Sequence, residues 1–385
     1  MTTTKTNEHK NIKVPNLRFP EFQGEWKESS IGEMFDLYSG NTPSRLNKEH
    51  FKGTVNWISS GELKEHYIYS SKEQISEEAA KSLKLLPVGT FVIAIYGLEA
   101  EGVRGTGSII QEPSTISQAC MSFIPKGVIE NEFLYSWYKK HGNVIGIRYA
   151  QGTKQQNLSY DILEKFMIAY PNTKEQEKLN KFISLLDERI ATQNKVIDKL
   201  QSLIKGIRND VFGKLRKSIG FNAMISDVLC YEQPQPYIVE NTEYTAEGIP
   251  VLTANKAFVL GYTSETNGIY DKGDCIIFDD FTLDCKYVDF PFKVKSSAIK
   301  ILTAMNKELL RYTFEFLKYL DLSTEEHKRH YIAEIQNQDF ILPTEQIVKT
   351  IAHIFSTLSV RMETAVKQRN VFEKQKQYLL RQMFI

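Results

Sequence analysis

A long helix with heptad spacing occurs twice in this chain, and this repeat restricts the possible folds more than any other feature. Apolar residues recur at heptad spacing from position 179 to 211, and the same register returns 172 residues later. Pro171 and Phe212 recur at that shift as Pro343 and Phe384. A steady 3.5-residue period is typical of a coiled-coil seam. Two such helices, each closing one half of the chain, indicate an internal duplication and a pseudo-symmetric molecule.

The seam positions of both predicted helices are mostly aliphatic or aromatic. The first seam contains Leu179, Ile183, Leu186, Ile190, Ile197 and Leu200, and the second contains Ile351, Phe355, Leu358, Met362 and Phe372. Polar residues interrupt the seams at Gln193, Arg369 and Lys376. Polar core residues reduce stability but can fix register and orientation. Thr173 and Gln176 have the spacing of a capping box, which predicts the start of the first helix.

The segments before the two helices alternate like strands and carry turn residues, with short helices predicted at Glu132–Lys140 and Lys307–Tyr319. We predict an α+β fold with two similar α+β domains separated by two long antiparallel coiled-coil helices, related by a pseudo-twofold duplication. Each domain is expected to hold a curved, largely antiparallel sheet. The predicted bounds are 1–165 for the first domain, 166–217 for the central helix, 218–340 for the second domain and 341–385 for the C-terminal helix.

Charge is unevenly distributed although the net charge of the whole chain is only +1. The net charge is 0 for residues 1–172, +5 for 173–217, −8 for 218–343 and +4 for 344–385. A protein that coats DNA without sequence preference needs a broad basic surface. The distribution therefore excludes that class and favours narrow contact faces assisted by other subunits.

Motifs of catalysis, membrane insertion and secretion are missing from the sequence. There is no Gly-x4-Gly-Lys-Ser/Thr loop, no His-Glu-x-x-His and no Asn/Asp-Pro-Pro-Tyr segment. No apolar run approaches the roughly 20 residues that cross a bilayer, and residues 1–10 lack a signal-peptide core. The four cysteines lack metal or redox spacing and are expected to be buried thiols in a reducing cytoplasm, with a Cys275–Cys285 disulfide as the alternative.

Three weak motifs leave alternatives open. Gly102–Gly107 has the glycine spacing of a phosphate-binding loop but leads into a strand, which favours a hairpin loop. His327 and His330 have metal-like spacing, and surface histidines are the alternative. Asp36 with Glu62–Lys64 weakly matches a nuclease Asp…Glu-x-Lys set, which also arises by chance.

An ordered series of short motifs connects the sequence to a known family. The series comprises Trp26, Ile31-Gly32, the turn Gly40–Ser44, Trp57-Ile58, a glycine-rich hairpin, Gly152–Leu158, Phe166, Pro171, Glu175-Gln176 and Leu185-Leu186-Asp187. The plan then repeats and ends at Phe340–Gln346, although Ser359 stands where the first helix has Asp187. This order resembles the specificity subunit of type I restriction-modification systems over nearly the whole chain.

The resemblance implies that each globular half is a target recognition domain that reads one half of a bipartite site in double-stranded DNA. The two helices would pack antiparallel through the seam residues, separate the domains and dock two methyltransferase subunits. The chain itself would be non-catalytic, cytoplasmic and free of cofactors. S-adenosylmethionine would serve adenine N6 methylation in the methyltransferase subunits, and ATP and Mg would serve translocation and cleavage by restriction subunits.

Direct readout requires Arg, Lys, Asn and Gln side chains at base edges in the major groove. We expect such residues, with some hydroxyl-bearing ones, on loops of both domains. The candidates in the first domain are Ser60, Tyr96, Arg104, Thr106, Arg148, Lys154 and Gln155, and those in the second are Asn255, Lys256, Lys286, Tyr287, Arg329 and Tyr331.

Two other classes of function remain open at this point. One is a coiled-coil scaffold that assembles other proteins without reading DNA. The other is a DNA-modifying enzyme whose site the motif search missed. The helices repeat along their whole length, whereas the globular halves match mainly at framework segments, which favours two different half-sites over a symmetric scaffold.

Overall fold

The computed structural model describes residues 13–100, 102–152, 156–253, 257–324 and 328–385. The chain forms two compact units. Unit 1 comprises the chain up to Thr192 together with Gln368–Ile385, and unit 2 comprises Gln193–Lys367. Each unit therefore contains the N-terminal part of one long helix and the C-terminal part of the other.

Unit 1 is built mainly from short strands. Its elements are β1 Lys27–Ser30, α1 Ile31–Met34, β2 Phe35–Ser39, β3 Val55–Ile58, β4 Tyr67–Ile68, β5 Glu73–Ile75, α2 Glu77–Ala80, β6 Phe91–Ala94, β7 Gly107–Ile110, β8 Ser114–Ile116, β9 Cys120–Pro125, α3 Asn131–Tyr149, α4 Tyr160–Leu163 and β10 Met167–Tyr170. The strands form sheets in the orders β2-β9-β6-β7-β4 and β5-β3-β8, and a ribbon of β1 with β10. Only β4–β7 and β3–β8 pair in parallel among these strands.

The core of unit 1 lies between the five-stranded sheet and α3. Every residue of β6 and β7 is buried, as expected for strands covered on both faces. Phe91 of β6 contacts Phe123 of β9 and the rings of Tyr135 and Tyr138 on α3. Aromatic packing of this kind fixes α3 on the sheet.

The long helix α5 spans Thr173–Ser218, and the elements after it build unit 2. They are β11 Ala223–Met224, β12 Cys230–Glu232, β13 Ile249–Leu252, β14 Val259–Thr263, β15 Cys275–Asp279, β16 Cys285–Val288, β17 Lys293–Val294, β18 Ile299–Thr303, α6 Lys307–Leu320, β19 Asp339–Phe340 and the long helix α7 Glu345–Met383. The sheets have the orders β12-β18-β15-β16 and β14-β13-β17, with a ribbon of β11 and β19. The β13–β17 pair is parallel.

The start of α5 differs in detail from the predicted capping box. The cap is Asn172, whose Oδ1 accepts a hydrogen bond from the Glu175 N–H at 3.1 Å. Gln176 instead donates to the carbonyls of Val128 and Pro171 and accepts from the Glu130 N–H. Gln176 thus ties the helix to unit 1, because its amide satisfies three backbone groups at once.

The seam residues of both long helices are incorporated into the cores of the units. Leu179, Ile183 and Leu186 belong to the core of unit 1, and Ile351, Phe355 and Leu358 to that of unit 2. Ile197 is buried as well, whereas Ile190, Leu200, Met362 and Phe372 are half-buried. These side chains therefore pack the helices within each unit, and the buried ones offer no surface to a partner subunit.

The α+β fold class is confirmed, with three corrections to the details. Each unit holds two sheets and a ribbon, where one sheet was expected. Residues 167–170, placed in the central helix segment by the prediction, form the strand β10. All four cysteines are free, so the Cys275–Cys285 disulfide is absent, and Cys230 is exposed. In the described ranges, no helix combines the length and apolarity needed to span a membrane.

Candidate nucleic-acid interface

Three predicted residues of unit 1 lie together on the long hairpin that connects β6 and β7. Tyr96 is 38% exposed and forms an antiparallel bridge with Asn157. Arg104 lies in the turn before β7 and donates from Nη2 to Gln156 Oε1 at 3.2 Å. Thr106 donates to the Val103 carbonyl at 2.6 Å, which closes the turn. The segment Gly102–Gly107 is thus a hairpin loop, as the sequence favoured, because β6 and β7 pair antiparallel.

Gln156 is a residue of this hairpin that the sequence prediction missed. It belongs to the motif Gly152–Leu158, from which Lys154 and Gln155 were chosen instead. Those two residues lie outside the described residues, as do Asn255 and Lys256 in unit 2. The motif gave the right segment, but the register within it could not be read without the bridge to Tyr96.

Ser60 and Arg148 are positioned by other elements of unit 1. Ser60 begins a short 3-10 helix, Ser60–Glu62, after β3. Arg148 is exposed in the last turn of α3, so its expected place on a loop was wrong. It lines a cavity of about 290 Å³ together with His141, Tyr149 and Ile385.

The predicted residues of unit 2 differ widely in accessibility. Lys286 and Tyr287 lie on strand β16 and not on a loop. Lys286 pairs with Asp284 at 3.0 Å, and the Tyr287 hydroxyl donates to Asp274 at 2.6 Å. Burial and the neighbouring Asp274 raise the pKa of Tyr287, which keeps the phenol protonated. The side chain of Tyr287 is therefore already engaged within the unit.

Arg329 and Tyr331 stand in one segment of unit 2 but have opposite environments. Arg329 is exposed and donates to Ser297 Oγ at 3.3 Å. Tyr331 is 1% exposed and packs against Tyr231 and Phe278. Because its ring is enclosed by the core, Tyr331 cannot present its hydroxyl to a base in this structure, and we remove it from the candidate set.

A buried ion pair anchors the segment that carries Arg329. Asp280 Oδ1 accepts hydrogen bonds from the backbone N–H groups of His330 and Tyr331 at 3.0 and 2.8 Å. Asp280 Oδ2 lies 3.2 Å from Lys300 Nζ, and both side chains are almost fully buried. This pair therefore fixes the backbone on the C-terminal side of Arg329.

A charge cluster, called here the His66 cluster, attaches both long helices to unit 1. It consists of His66, Glu132, Asp187 and Lys376. His66 Nε2 lies 2.8 Å from Glu132 and Nδ1 lies 2.9 Å from Asp187, while Lys376 Nζ lies 2.5 Å from the other Asp187 oxygen. The imidazole is stacked between the rings of Tyr67 and Tyr135, each with a centroid 4.0 Å away.

The pKa values in this cluster follow from burial and from the opposed charges. Burial lowers the pKa of His66, but the carboxylates of Asp187 and Glu132 together outweigh it and hold the pKa above its ordinary value. Burial would raise the pKa of Asp187, but His66 and Lys376 reverse this and lower it. The cluster is thus ionised on both helices near neutral pH.

Unit 2 has a different cluster at the corresponding place, called here the Glu315 cluster. It consists of Arg208 on α5, Arg311 and Glu315 on α6, and Ser359 on α7. Glu315 is 1% exposed and accepts from Arg208 and Arg311, each at 2.7 Å. Arg311 also donates to Ser359, the residue that replaces Asp187 in the second helix. The acidic group of this cluster therefore lies on the domain helix and not on the long helix.

The weak motifs of the sequence have structural roles in unit 1. Glu62 accepts hydrogen bonds from the Ser59 N–H and hydroxyl and from the Lys72 N–H, and Asp36 pairs with Lys126. His327 lies outside the described residues, and His330 pairs with Glu334 at 2.9 Å. Within the described part of the chain, no three His, Cys, Asp or Glu side chains are grouped to hold a metal ion.

Comparison with known proteins places this architecture in a family. Residues 23–202 match the model of the "Type I restriction modification DNA specificity domain". The chain is 44% identical over 126 residues to the specificity subunit of the type I restriction enzyme EcoR124I/EcoR124II from Escherichia coli, a match that covers 31% of each chain. It is 29% identical over 185 residues to the MjaIX specificity subunit from Methanocaldococcus jannaschii, covering 46% of this chain and 42% of the relative.

These two matches span about a third and two fifths of the relatives' lengths. The fold is similar along nearly the whole chain to the S subunit of a type I restriction-modification system from M. genitalium, with a TM-score of 0.67, 16% identity and coverage of 97% of this chain and 99% of that one. The domain model, the two relatives and the shared fold agree with the motif order, and the chain belongs to the family of type I restriction-modification specificity subunits.

Proposed function

We propose that this chain directs a type I restriction-modification complex to a bipartite DNA site, with unit 1 and unit 2 each reading one half. The long helices set the separation of the half-sites and dock two methyltransferase subunits. Adenine N6 methylation and DNA cleavage are carried out by partner subunits, which also bind S-adenosylmethionine, ATP and Mg. The chain contributes sequence recognition and no catalytic group.

The observation that carries this proposal is a shared framework with unlike loops. In each unit a two-stranded ribbon, β1–β10 or β11–β19, precedes a long helix. The turn after the first ribbon strand is closed in the same way, since the Ser30 N–H donates to Glu33 and the Met224 N–H donates to Asp227, each at 2.8 Å. Matching supports of this kind are what a duplicated recognition module requires.

The loops on these frameworks differ strongly between the units. In unit 1 a long hairpin with Tyr96 and Arg104 connects β6 to β7. In unit 2 the antiparallel strands β15 and β16 are joined by a short turn, in which Asp279 accepts from the N–H groups of Phe281 and Thr282. Loops carry binding specificity on a rigid scaffold, so unlike loops support recognition of two different half-sites.

Exposed apolar residues on the long helices support the docking of two identical partners. Two sets of three occur, one in each unit, and equivalent members are 175 residues apart. The set in unit 1 is Leu185, Val371 and Tyr378, and the set in unit 2 is Val360, Val196 and Leu203. All six are 39–62% exposed. The offset from the seam repeat of 172 residues is less than one helical turn, so each set recurs on a similar side of the helices.

The experiment that tests this function is single-molecule sequencing of methyladenine in the DNA of a host strain, with the gene present, deleted and restored. The proposal expects a bipartite methylated motif that disappears on deletion and returns with the restored gene. Methylation that is unchanged by deletion at every motif would refute it. Methylation or cleavage by the purified chain alone would favour the hidden-enzyme alternative. Assembly with partners that leaves all motifs unchanged would favour the scaffold.

A further inference from the structure

The side chain of Arg104 lies in a notch on the surface of α3. Gly142 and Gly146 face the hairpin one turn apart, and a Cβ at Gly146 would lie 2.6 Å from Arg104 Cγ and 3.1 Å from Cδ. The hairpin backbone also contacts the helix, because a Cβ at Gly105 would lie 2.8 Å from the Asn143 nitrogen. The position of the Arg104 stem therefore depends on the absence of a side chain at Gly146.

The guanidinium end is positioned by Gln156, which is itself fixed. The Gln156 N–H donates to Glu99 Oε2 at 2.8 Å, and its carbonyl accepts from the Leu98 N–H at 3.1 Å. Its side-chain oxygen then accepts from Arg104 Nη2 at 3.2 Å. Because Gln156 is held through both backbone groups, the Arg104 guanidinium has a defined orientation before any ligand binds.

Much of the hydrogen-bonding capacity of Arg104 is left open. A guanidinium has five N–H donors, and Gln156 is the one acceptor for Arg104 among the residues that the structure describes. Arg104 Nε is buried without a partner, and so is the Oδ1 of the adjacent Asn157. Buried polar groups are normally paired, so an unpaired donor and an unpaired acceptor on one hairpin indicate a surface that is completed by a polar ligand.

We propose that Arg104 reads a guanine in the major groove of the half-site bound by unit 1, with Gln156 and Gly146 as positioning residues. This inference rests on the proposed function. A fixed, planar fork fits the O6 and N7 acceptors of guanine, the commonest specific contact of arginine with DNA. A phosphate contact requires no such fixed orientation. The exposed carboxylate of Glu99, whose pKa is lowered by the Gln156 N–H and by the nearby charge of Arg104, would moreover repel a phosphate.

The test uses the full chain co-expressed with its methyltransferase subunit, and reads the methylated motif by single-molecule sequencing. The variants are Arg104→Ala, Arg104→Lys and Gly146→Ala, with Gly206→Ala as the control. Gly206 lies within α5 and a Cβ there would meet no atom within 4 Å. Arg104→Ala is expected to lower methylation of sites with one particular guanine about 10- to 100-fold and to relax that position alone.

The other variants separate a base contact from a structural effect. Arg104→Lys should relax the same position, because an ammonium lacks the planar fork. Gly146→Ala should do likewise while the melting temperature stays equal to or above that of the parent, because alanine favours the helix. Gly206→Ala should leave the motif unchanged. An unchanged motif in Arg104→Ala, or equally weakened methylation at all sites as a phosphate contact would give, overturns the inference. A parent chain that produces no gene-dependent motif would instead refute the proposed function.

Discussion

At the scale of single residues, Arg329 and Tyr331 show how burial decides which of two similar candidates can act. Both were selected from one polar segment, and only the fold distinguishes them. Asp280 accepts from the backbone N–H groups of His330 and Tyr331, so Tyr331 points into the core while Arg329 stays at the surface. Asp280 is 49 residues away from Arg329 in the chain, and this support could not be inferred from local pattern.

The pairing of Asp280 with Lys300 leads to a prediction about stability. Asp280→Asn retains an oxygen that can accept the two N–H groups but removes the charge that Lys300 faces. A buried lysine without its counter-charge is costly, so we expect the unfolding free energy to fall by about 3–5 kcal/mol. Urea denaturation followed by tryptophan fluorescence and circular dichroism measures this change.

The control for this variant is Lys214→Ala, which removes an exposed pair with Asp210 on α5. Its expected cost is below about 1 kcal/mol. If the two variants were equally stable, the Asp280–Lys300 pair would contribute no more than a surface ion pair, contrary to the prediction.

At the scale of elements, the His66 cluster explains a polar interruption in the seam of the second helix. Lys376 occupies a position where the first helix has Ile204, and it lies against Asp187 of the other helix. Opposed charges at such positions can fix the register of two helices. The sequence showed the interruption, but its partner was hidden because Asp187 and Lys376 are distant in the chain.

The elevated pKa of His66 predicts a pH dependence of unit 1. A group whose folded pKa exceeds its unfolded value stabilises the protein fully below the unfolded pKa, near 6.5, and this contribution is lost as pH rises through the folded pKa. The groups facing His66 are Glu132 and Asp187, the rings of Tyr67 and Tyr135, and Lys376 behind Asp187. The carboxylates stay ionised in this range, so titration of the imidazole dominates the change.

The measurement compares the parent with His66→Gln between pH 6.5 and 8 by thermal unfolding. The parent should lose stability relative to the variant as pH rises, because only the parent releases a proton from this site. The range ends at pH 8 because burial lowers the pKa of Lys139 to about 8, where a second titration begins. Parallel curves for the two proteins would show that His66 is not charged in the folded state.

The exposed apolar sets on the long helices lead to a prediction about stoichiometry. Leu203→Glu in unit 2 and Tyr378→Glu in unit 1 place a charge on each proposed docking face. Each single variant should bind one methyltransferase subunit where the parent binds two, and the double variant should bind none. Native mass spectrometry of the co-expressed complexes counts the subunits directly.

The matched controls for these variants are the neighbouring exposed positions. Ser202→Glu and Gln377→Glu add the same charge one residue away, on a different side of each helix. They should retain two methyltransferase subunits. Loss of binding in the controls as well would assign the effect to charge and not to the apolar face.

At the scale of the whole molecule, the duplication was readable from sequence and the recognition surface was not. Heptad spacing and the repeat of Pro171 as Pro343 gave the long helices and the α+β class. Short strands such as β4 and β17, each of two residues, have no periodicity to detect. Recognition residues depend on long-range pairing, such as the bridge between Tyr96 and Asn157, and sequence spacing does not encode it.

The charge distribution of the chain leads to a prediction about its grip on DNA. Residues 218–343 carry a net charge of −8, and in unit 2 the candidate Lys286 is already paired with Asp284. A surface of this kind can make few phosphate contacts, which supply most of the affinity for DNA. We therefore expect that the chain alone binds a duplex with the full site weakly, with a Kd of roughly 10⁻⁴–10⁻⁶ M at physiological salt.

With the methyltransferase subunits added, the affinity should reach roughly 10⁻⁸ M or tighter, because those subunits would supply the phosphate contacts. Fluorescence anisotropy over a series of salt concentrations measures both quantities. The plot of log K against log salt should be steeper for the complex, since its slope grows with the number of phosphates neutralised. A duplex of scrambled sequence serves as the control. Tight, sequence-specific binding by the chain alone would mean that its two units carry the phosphate contacts themselves, in spite of the acidic second half.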